Sequence, residues 1–238
     1  MTGKTDGGAF MQAVRSFAVC ALVCGAAYAA FFIAPTEKTM GDIQRIFYFH
    51  VASFMNAFVA FTIAFIANIF YLMRRSPKAD WLGVSGVEVA VAFTSAGLLM
   101  GPLWAKPIWG HYWTWDPRLT STFILWVLGL CYMLLRSLIE DPERRAVVSA
   151  VFSIFVFLDV PLVYLANRLP RGQHPKPVIL GDTNSGLAPE MGRVLLYCFI
   201  ALFVLMIALL RERYSLEQLR HEVAEIRAET ESGYSASN

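Results

Sequence analysis

Residues 51–73 read VASFMNAFVAFTIAFIANIFYLM, and this stretch decides the fold class of the 238-residue chain. It contains no charged side chain and exceeds the about 20 apolar residues that an α-helix needs to cross the hydrocarbon core of a bilayer. Arg74 and Arg75 follow it directly, as is common where a span meets water. The stretch therefore predicts a membrane-spanning helix.

Five further apolar stretches have sufficient length to span a bilayer: residues 16–34, 82–103, 119–138, 146–166 and 193–210. The composition agrees, since 57% of the residues are hydrophobic, 16% are charged and the mean hydropathy is +0.52. Soluble domains have about 25% charged residues. We therefore predict an all-α polytopic membrane protein with six transmembrane helices. The net charge of +2 is too small for a nucleic-acid-binding surface.

The distribution of Lys and Arg predicts the orientation of the six spans. An even number of spans places both termini on one side, and basic residues are more frequent there, especially in the short connections 74–80 and 136–145. Basic connections face the cytoplasm, so we expect both termini to be cytoplasmic. Three longer connections, at about 35–50, 104–118 and 167–192, then lie outside.

Two regions follow from this organisation. Residues 1–210 form the six-span membrane domain, and residues 211–238 form a cytoplasmic tail. Apolar residues recur in the tail at intervals of three and four: Leu216, Leu219, Val223 and Ile226. This spacing predicts a short amphipathic helix, which is either a partner-docking or coiled-coil segment or a solvated extension.

The segment at about 104–121 has the most unusual composition. It contains four of the six tryptophans: Trp104, Trp109, Trp113 and Trp115. An aromatic belt would distribute tryptophans over all helix ends, whereas concentration in one outer connection favours a platform for a large, flat, apolar ligand. Asp116, directly before Pro117, is suited to cap the fourth span. Arg118 could bind a carboxylate through two hydrogen bonds, or extend to the membrane interface.

Two histidines lie on the same predicted face as the tryptophans. His50 is at the outer mouth of the second span, and His174 is in the connection between the fifth and sixth spans. A neutral imidazole is a common axial ligand of haem iron, and two of them give a six-coordinate site. For the two propionates of haem, the sequence offers Arg118, Lys106, Arg168 and Arg171 and does not decide among them. His111, inside the tryptophan segment, is a rival ligand that we rank below the other two.

Two acids interrupt the apolar stretches, Glu88 in the third span and Asp159 in the fifth. Intramembrane acids are costly and are candidates for function. Hydrogen bonding to neighbouring helices is the simpler interpretation, and we favour a structural role for both.

Residues 109–121, WGHYWTWDPRLTS, resemble the tryptophan-rich WWD motif of haem-handling membrane proteins. The string 45–51, RIFYFHV, precedes the second span, and a histidine-bearing connection follows the fifth. The resemblance covers about residues 35–210 and is to the haem exporter protein C (CcmC-type) family of cytochrome c maturation. The ending RLTS distinguishes this branch from the related cytochrome c synthetase proteins.

The resemblance implies a protein of the bacterial inner membrane that binds haem b transiently at its periplasmic face. It implies transfer of haem to the haem chaperone CcmE, alongside an ABC-type complex with CcmA, CcmB and CcmD, without covalent bond formation. It also implies that His50 and His174 are the axial ligands of the iron. The other haem-contacting residues would be Trp104, Trp109, Trp113, Trp115, Asp116 and Arg118.

Other functions stay open from the residues alone. A bis-histidine electron-transfer membrane cytochrome would hold its haem permanently between histidines inside the bilayer, whereas His50 and His174 lie at span ends. A cytochrome c synthetase-like haem lyase subunit is a further alternative. A permease is supported only by Glu88, Asp159 and Pro161.

Overall fold

A computed structural model describes residues 3–166 and 187–236. The helices in these ranges are α1 (Gly3–Tyr28), α2 (Ile46–Arg74), α3 (Pro77–Trp109), α4 (Pro117–Leu138), α5 (Pro142–Phe157), α6 (Asp159–Ala166) and α7 (Pro189–Ala236). Six segments of the described chain are long and apolar enough to cross a membrane, and α5 and α6 together form the fifth. The prediction of an all-α protein with six spans is thus confirmed.

Arg45 organises the connection between the first two spans. A π-helical turn, Ala29–Ile33, ends the first span, and a 3-10 turn, Asp42–Arg45, leads into α2. The Arg45 guanidinium donates to the carbonyl oxygens of Ala30, at 2.9 Å, and Ala34, at 3.1 Å. These carbonyls lie at the end of a helix, where they lack partners within it. Arg45 therefore joins the end of the first span to the start of α2.

Small residues allow α2 and α3 to approach closely. A Cβ atom placed on Gly86 of α3 would lie 2.9 Å from the Cβ of Ala64 and 3.1 Å from the carbonyl oxygen of Ala60 on α2. Both alanines are fully buried. Helices in membranes associate through such small-residue contacts, because lipid offers no hydrophobic driving force between them. We call this contact between α2 and α3 the small-residue interface.

Amide side chains of α2 join it to other helices. The Asn68 amide donates to the Ser153 hydroxyl of α5 at 3.0 Å, and the Asn56 amide donates to the Phe199 carbonyl of α7 at 3.4 Å. Both asparagines are fully buried. Interhelical hydrogen bonds of this kind contribute about 0.6 kcal/mol each in membrane proteins, so they align the helices more than they stabilise them.

Ion pairs join the helices at the end of the bundle opposite Trp104, Trp109, Trp113 and Trp115. Arg136 of α4 donates two hydrogen bonds to the Asp80 carboxylate of α3, at 2.7 and 2.9 Å. Arg213 of α7 donates to the carboxylate of Glu88 in α3. The intramembrane acid Glu88 is therefore paired across a helix contact, which agrees with a structural role.

The fifth span is interrupted beside its acid. Helix α5 ends at Phe157 and α6 begins at Asp159, two residues before Pro161, which has no N–H to donate. Asp159 is buried, and its Oδ2 atom has no hydrogen-bond partner among the described residues. The expected hydrogen bond from Asp159 to a neighbouring helix is thus not seen for this oxygen.

Helix α3 is longer than predicted, which corrects the outer connection proposed at 104–118. Trp104 and Trp109 lie on α3, because the helix continues beyond the predicted end of the span and includes Pro107. It ends at Trp109 and is capped by Gly110, whose φ of +80° is the left-handed conformation that favours glycine. The Gly110 N–H donates to the Lys106 carbonyl at 3.0 Å. The connection that remains is residues 110–116.

The predicted amphipathic tail is helical and continues the sixth span without a break, within α7. Trp81 of α3 packs edge-to-face against Tyr214 and His221, so α7 follows α3 as far as His221. Residues 222–231 are exposed, and they include the apolar residues Val223 and Ile226.

Candidate functional site

Three predicted site residues, His50, Trp113 and Arg118, line one pocket. It lies at the end of the bundle that carries Trp104, Trp109, Trp113 and Trp115, which we call the tryptophan end. The other lining residues come from α2, α3, α4 and α6: Phe54, Phe58, Gly97, Leu98, Gly101, Pro102, Leu119, Thr122 and Val163. The cavity of about 30 Å³ has room for roughly one water molecule. A large ligand would therefore lie across the pocket rather than inside it.

The imidazole of His50 is held in the first turns of α2. Its Nδ1 atom is 3.0 Å from the carbonyl oxygen of Gly97 on α3. Because a carbonyl only accepts hydrogen bonds, Nδ1 carries the proton of the neutral ring, and Nε2 carries the lone pair. The rings of Phe54 and Trp104 meet the imidazole edge-to-face, with centroids at 5.0 and 5.7 Å. This tautomer and fixed orientation are typical of a metal-ligating histidine.

Asp116 caps α4, as predicted, and its carboxylate shapes the turn that carries Arg118. One carboxylate oxygen accepts the backbone N–H groups of Arg118, at 3.0 Å, and Leu119, at 2.9 Å. The other accepts the Thr114 hydroxyl at 3.2 Å. Asp116 is buried, and both of its carboxylate oxygens already accept hydrogen bonds within its own connection and α4. It is therefore poorly placed to contact a ligand. The structure thus indicates a positioning role for this residue.

The guanidinium of Arg118 supplies positive charge to the pocket. The described part of the chain forms no ion pair with it, and it lines the same pocket as His50. A planar guanidinium matches the two oxygens of a carboxylate. The pocket therefore combines a nitrogen ligand for a metal with a binding group for an acidic substituent.

An aromatic surface extends from the connection onto α4. Trp113 packs edge-to-face against Trp115 at 5.6 Å, and both contact Phe123, at 6.2 and 6.0 Å. Phe123 continues to Trp126 at 5.9 Å. Trp115 is 71% exposed, so its ring faces outward. This aromatic platform gives a flat apolar ligand a stacking surface beside the pocket.

Several polar atoms at the tryptophan end are buried without a hydrogen-bond partner in the described chain. They include the indole nitrogens of Trp104 and Trp113 and the Nδ1 atom of His111. A buried donor without a partner costs about 1–3 kcal/mol. The two indole N–H groups would recover part of this cost if, after a small rearrangement, they donated hydrogen bonds to acceptors on the edge of a ligand. His111 and Trp109 are not among the residues that line the pocket.

His174, the second predicted ligand, lies outside the described residues. Within the described chain, no group of three or more His, Cys, Asp and Glu residues could hold a metal ion. The single imidazole of His50 suits a metal that brings its own equatorial ligands, as haem iron does.

The predictions did not include Gly97, Gly101, Phe54 or Phe123, which the structure brings into the site. Gly97 and Gly101 stand in the sequence as GLLMG, with small residues four apart on one helix face. That spacing is a known sign of close helix contact in membranes and was the available signal. No pattern in the sequence indicates that the partner at this contact is His50.

Comparisons with known proteins find relatives of this chain along most of its length. The family model described as "Heme exporter protein C" matches residues 7–229. The heme exporter protein C of Bradyrhizobium diazoefficiens is 34% identical over 131 residues, which are 55% of this chain and 50% of that protein. Its counterpart in Paracoccus denitrificans is 28% identical over 94% of this chain and 92% of the relative. The heme exporter protein C of Rhodobacter capsulatus is 29% identical over 76% of this chain and 75% of the relative.

Proposed function

Since the chain belongs to the heme exporter protein C family, we propose that it is the haem-binding membrane subunit of the cytochrome c maturation system. In this role it presents haem b at the periplasmic face of the bacterial inner membrane and transfers it to the haem chaperone CcmE. CcmA, CcmB and CcmD are its partners in an ABC-type complex, and it forms no covalent bond to haem. The observation that carries the proposal is the meeting of His50 and Arg118 in one pocket beside the aromatic platform.

The residues divide the work of holding haem. His50 supplies an axial nitrogen to one face of the iron, and His174 supplies the other. The rings of Trp113 and Trp115 stack against the macrocycle, and Arg118 binds a propionate. Both termini are cytoplasmic in this proposal, so the tryptophan end is periplasmic.

The small pocket suits delivery rather than permanent storage. As the described residues form it, the pocket admits roughly one water molecule, so we place haem across the pocket and against the aromatic platform rather than inside it. Much of the macrocycle then remains accessible to an acceptor protein. Release requires breaking the axial bonds and the contacts with Arg118, but it requires no opening of the helix bundle.

Absorption spectra of purified protein test the proposal. The protein is isolated from haem-replete cells as wild type and as His50→Ala, His174→Ala and His111→Ala. We expect a reducible six-coordinate haem in the wild type and in His111→Ala, and loss of that spectrum in the other two variants. Loss only in His111→Ala would overturn the ligand assignment, and a wild type without haem under all conditions would overturn the function.

Transfer distinguishes delivery from electron transfer. The haem-loaded protein is mixed with haem-free CcmE, and the two proteins are separated before their spectra are recorded. We expect haem to move to CcmE. Haem that stays on this chain through repeated additions of CcmE would instead support the bis-histidine cytochrome.

A further inference from the structure

We infer that Gly97 and Gly101 of α3 are positioning residues that set the orientation of the His50 imidazole. The inference rests on the proposed role of His50 as a ligand of haem iron. Gly97 contributes its carbonyl oxygen, 3.0 Å from Nδ1, and Gly101 contributes the absence of a side chain. Both lie where α3 faces α2, at the tryptophan end of the small-residue interface.

The carbonyl of Gly97 fixes the tautomer. A carbonyl oxygen has two lone pairs, so the Gly97 carbonyl can accept a hydrogen bond from Nδ1–H of His50 and also the backbone hydrogen bond of α3. The imidazole then presents Nε2 to a metal. A ligating histidine that donates its other N–H in this way is a stronger base, and loss of such a contact typically weakens metal binding 10–100-fold.

The space at Gly101 admits the ring. A Cβ atom at Gly101 would lie 3.2 Å from Cε1 of His50, which is tighter than an ordinary van der Waals contact. A Cβ atom at Gly97 would lie 2.6 Å from the ring of Phe54, which itself supports the imidazole. Side chains at either position would therefore push the imidazole, directly or through Phe54. A substitution at Gly101 leaves the Gly97 carbonyl in place, so it tests the space alone.

The opposite end of the same interface supplies a control. Gly86 is more tightly packed than Gly101, since its Cβ atom would lie 2.9 Å from that of Ala64. It is 15 residues from Gly101, about 22 Å along the helix at a rise of about 1.5 Å per residue. Gly86→Ala thus disturbs the packing of α2 on α3 without a contact to His50.

The experiment compares Gly101→Ala, Gly101→Val, Gly86→Ala and His50→Ala as full-length purified proteins. Haem affinity is measured by titration, and electron paramagnetic resonance reports the geometry of the axial ligands. We expect about 10-fold weaker binding for Gly101→Ala and about 100-fold for Gly101→Val, with a changed low-spin signal in both. Gly86→Ala should keep the signal and the affinity of the wild type.

Three outcomes separate this inference from the proposed function. Wild-type affinity and signal in both Gly101 variants, with loss of haem in His50→Ala, would overturn the inference and leave the function standing. A wild-type spectrum in His50→Ala would instead remove the ligand on which both depend. Equal losses in Gly86→Ala and Gly101→Ala would show that general packing is responsible, which also overturns the inference.

A measurement on the haem-free wild-type protein tests the inference even if a glycine variant fails to fold. Nitrogen NMR of the wild type, with His50→Ala used to assign the signal, reports which ring nitrogen of His50 carries the proton. We expect protonation at Nδ1, in accordance with the bond to Gly97. Protonation at Nε2 would contradict the positioning contact.

Discussion

Arg118 offers a direct test of how the site recognises the acidic groups of haem. We expect Arg118→Gln to bind haem about tenfold more weakly, because a charge-assisted hydrogen bond of about 1.5 kcal/mol is lost. Arg118→Lys should be intermediate, since an ammonium keeps the charge but not the planar pair of donors. Haem dimethyl ester, which lacks carboxylates, is the control ligand in the same titration. If Arg118→Gln weakened binding of the ester as much as that of haem, Arg118 would not be the carboxylate-binding group.

Two substitutions of Asp116 distinguish a helix-capping role from a role that requires its negative charge. Its carboxylate accepts the N–H groups of Arg118 and Leu119, so Asp116→Ala should lower the free energy of unfolding by about 0.5–2 kcal/mol. Asp116→Asn should retain most of that stability, because asparagine is a comparable cap. Unfolding in denaturing detergent, followed by circular dichroism, measures both variants. Haem binding lost in Asp116→Asn despite retained stability would show that the negative charge itself contributes to the site.

At the scale of secondary-structure elements, the sequence predicted every span but not every helix end. Length and hydropathy are sufficient to locate a span, because any helix of that kind is stable in a bilayer. The end of α3 depends instead on Gly110, since Pro107 interrupts one hydrogen bond without ending the helix. The contact of Gly101 with His50 lies beyond such reasoning. It depends on the register between two helices, which no local pattern determines.

Gly110 tests whether the end of α3 controls the shape of the tryptophan end. Its φ is +80° and a Cβ atom there would meet nothing within 4 Å, so Gly110→Ala imposes conformational strain without a clash. We expect a loss of about 1–2 kcal/mol in stability, together with weaker haem binding as Trp113 shifts. Gly8→Ala is the matched control, since it also points into open space but lies in a helix. Unchanged stability in Gly110→Ala would mean that the connection relaxes to another turn.

At the scale of the whole molecule, the two ends of the bundle differ in what holds them. The tryptophan end is aromatic and carries the pocket with His50 and Arg118, whereas ion pairs join the helices at the opposite end. Paired charges that cross from α3 to α4 and α7 instead fix the arrangement of the helices. Stability and ligand binding thus depend on opposite ends of one bundle. We expect substitutions at the ion-paired end to change stability more than haem binding.

Truncation of α7 tests this division. Residues 222–231 are exposed, so a chain that stops after His221 should keep the melting temperature and haem affinity of the wild type. A chain that stops after Leu210 loses Arg213, which leaves Glu88 unpaired within a span and should lower stability by about 3 kcal/mol. Adding Glu88→Gln to the shorter chain should restore part of the loss, because no charge remains to be paired. Thermal unfolding in detergent measures all three, and a large loss on removing 222–238 alone would show that the exposed tail supports the bundle.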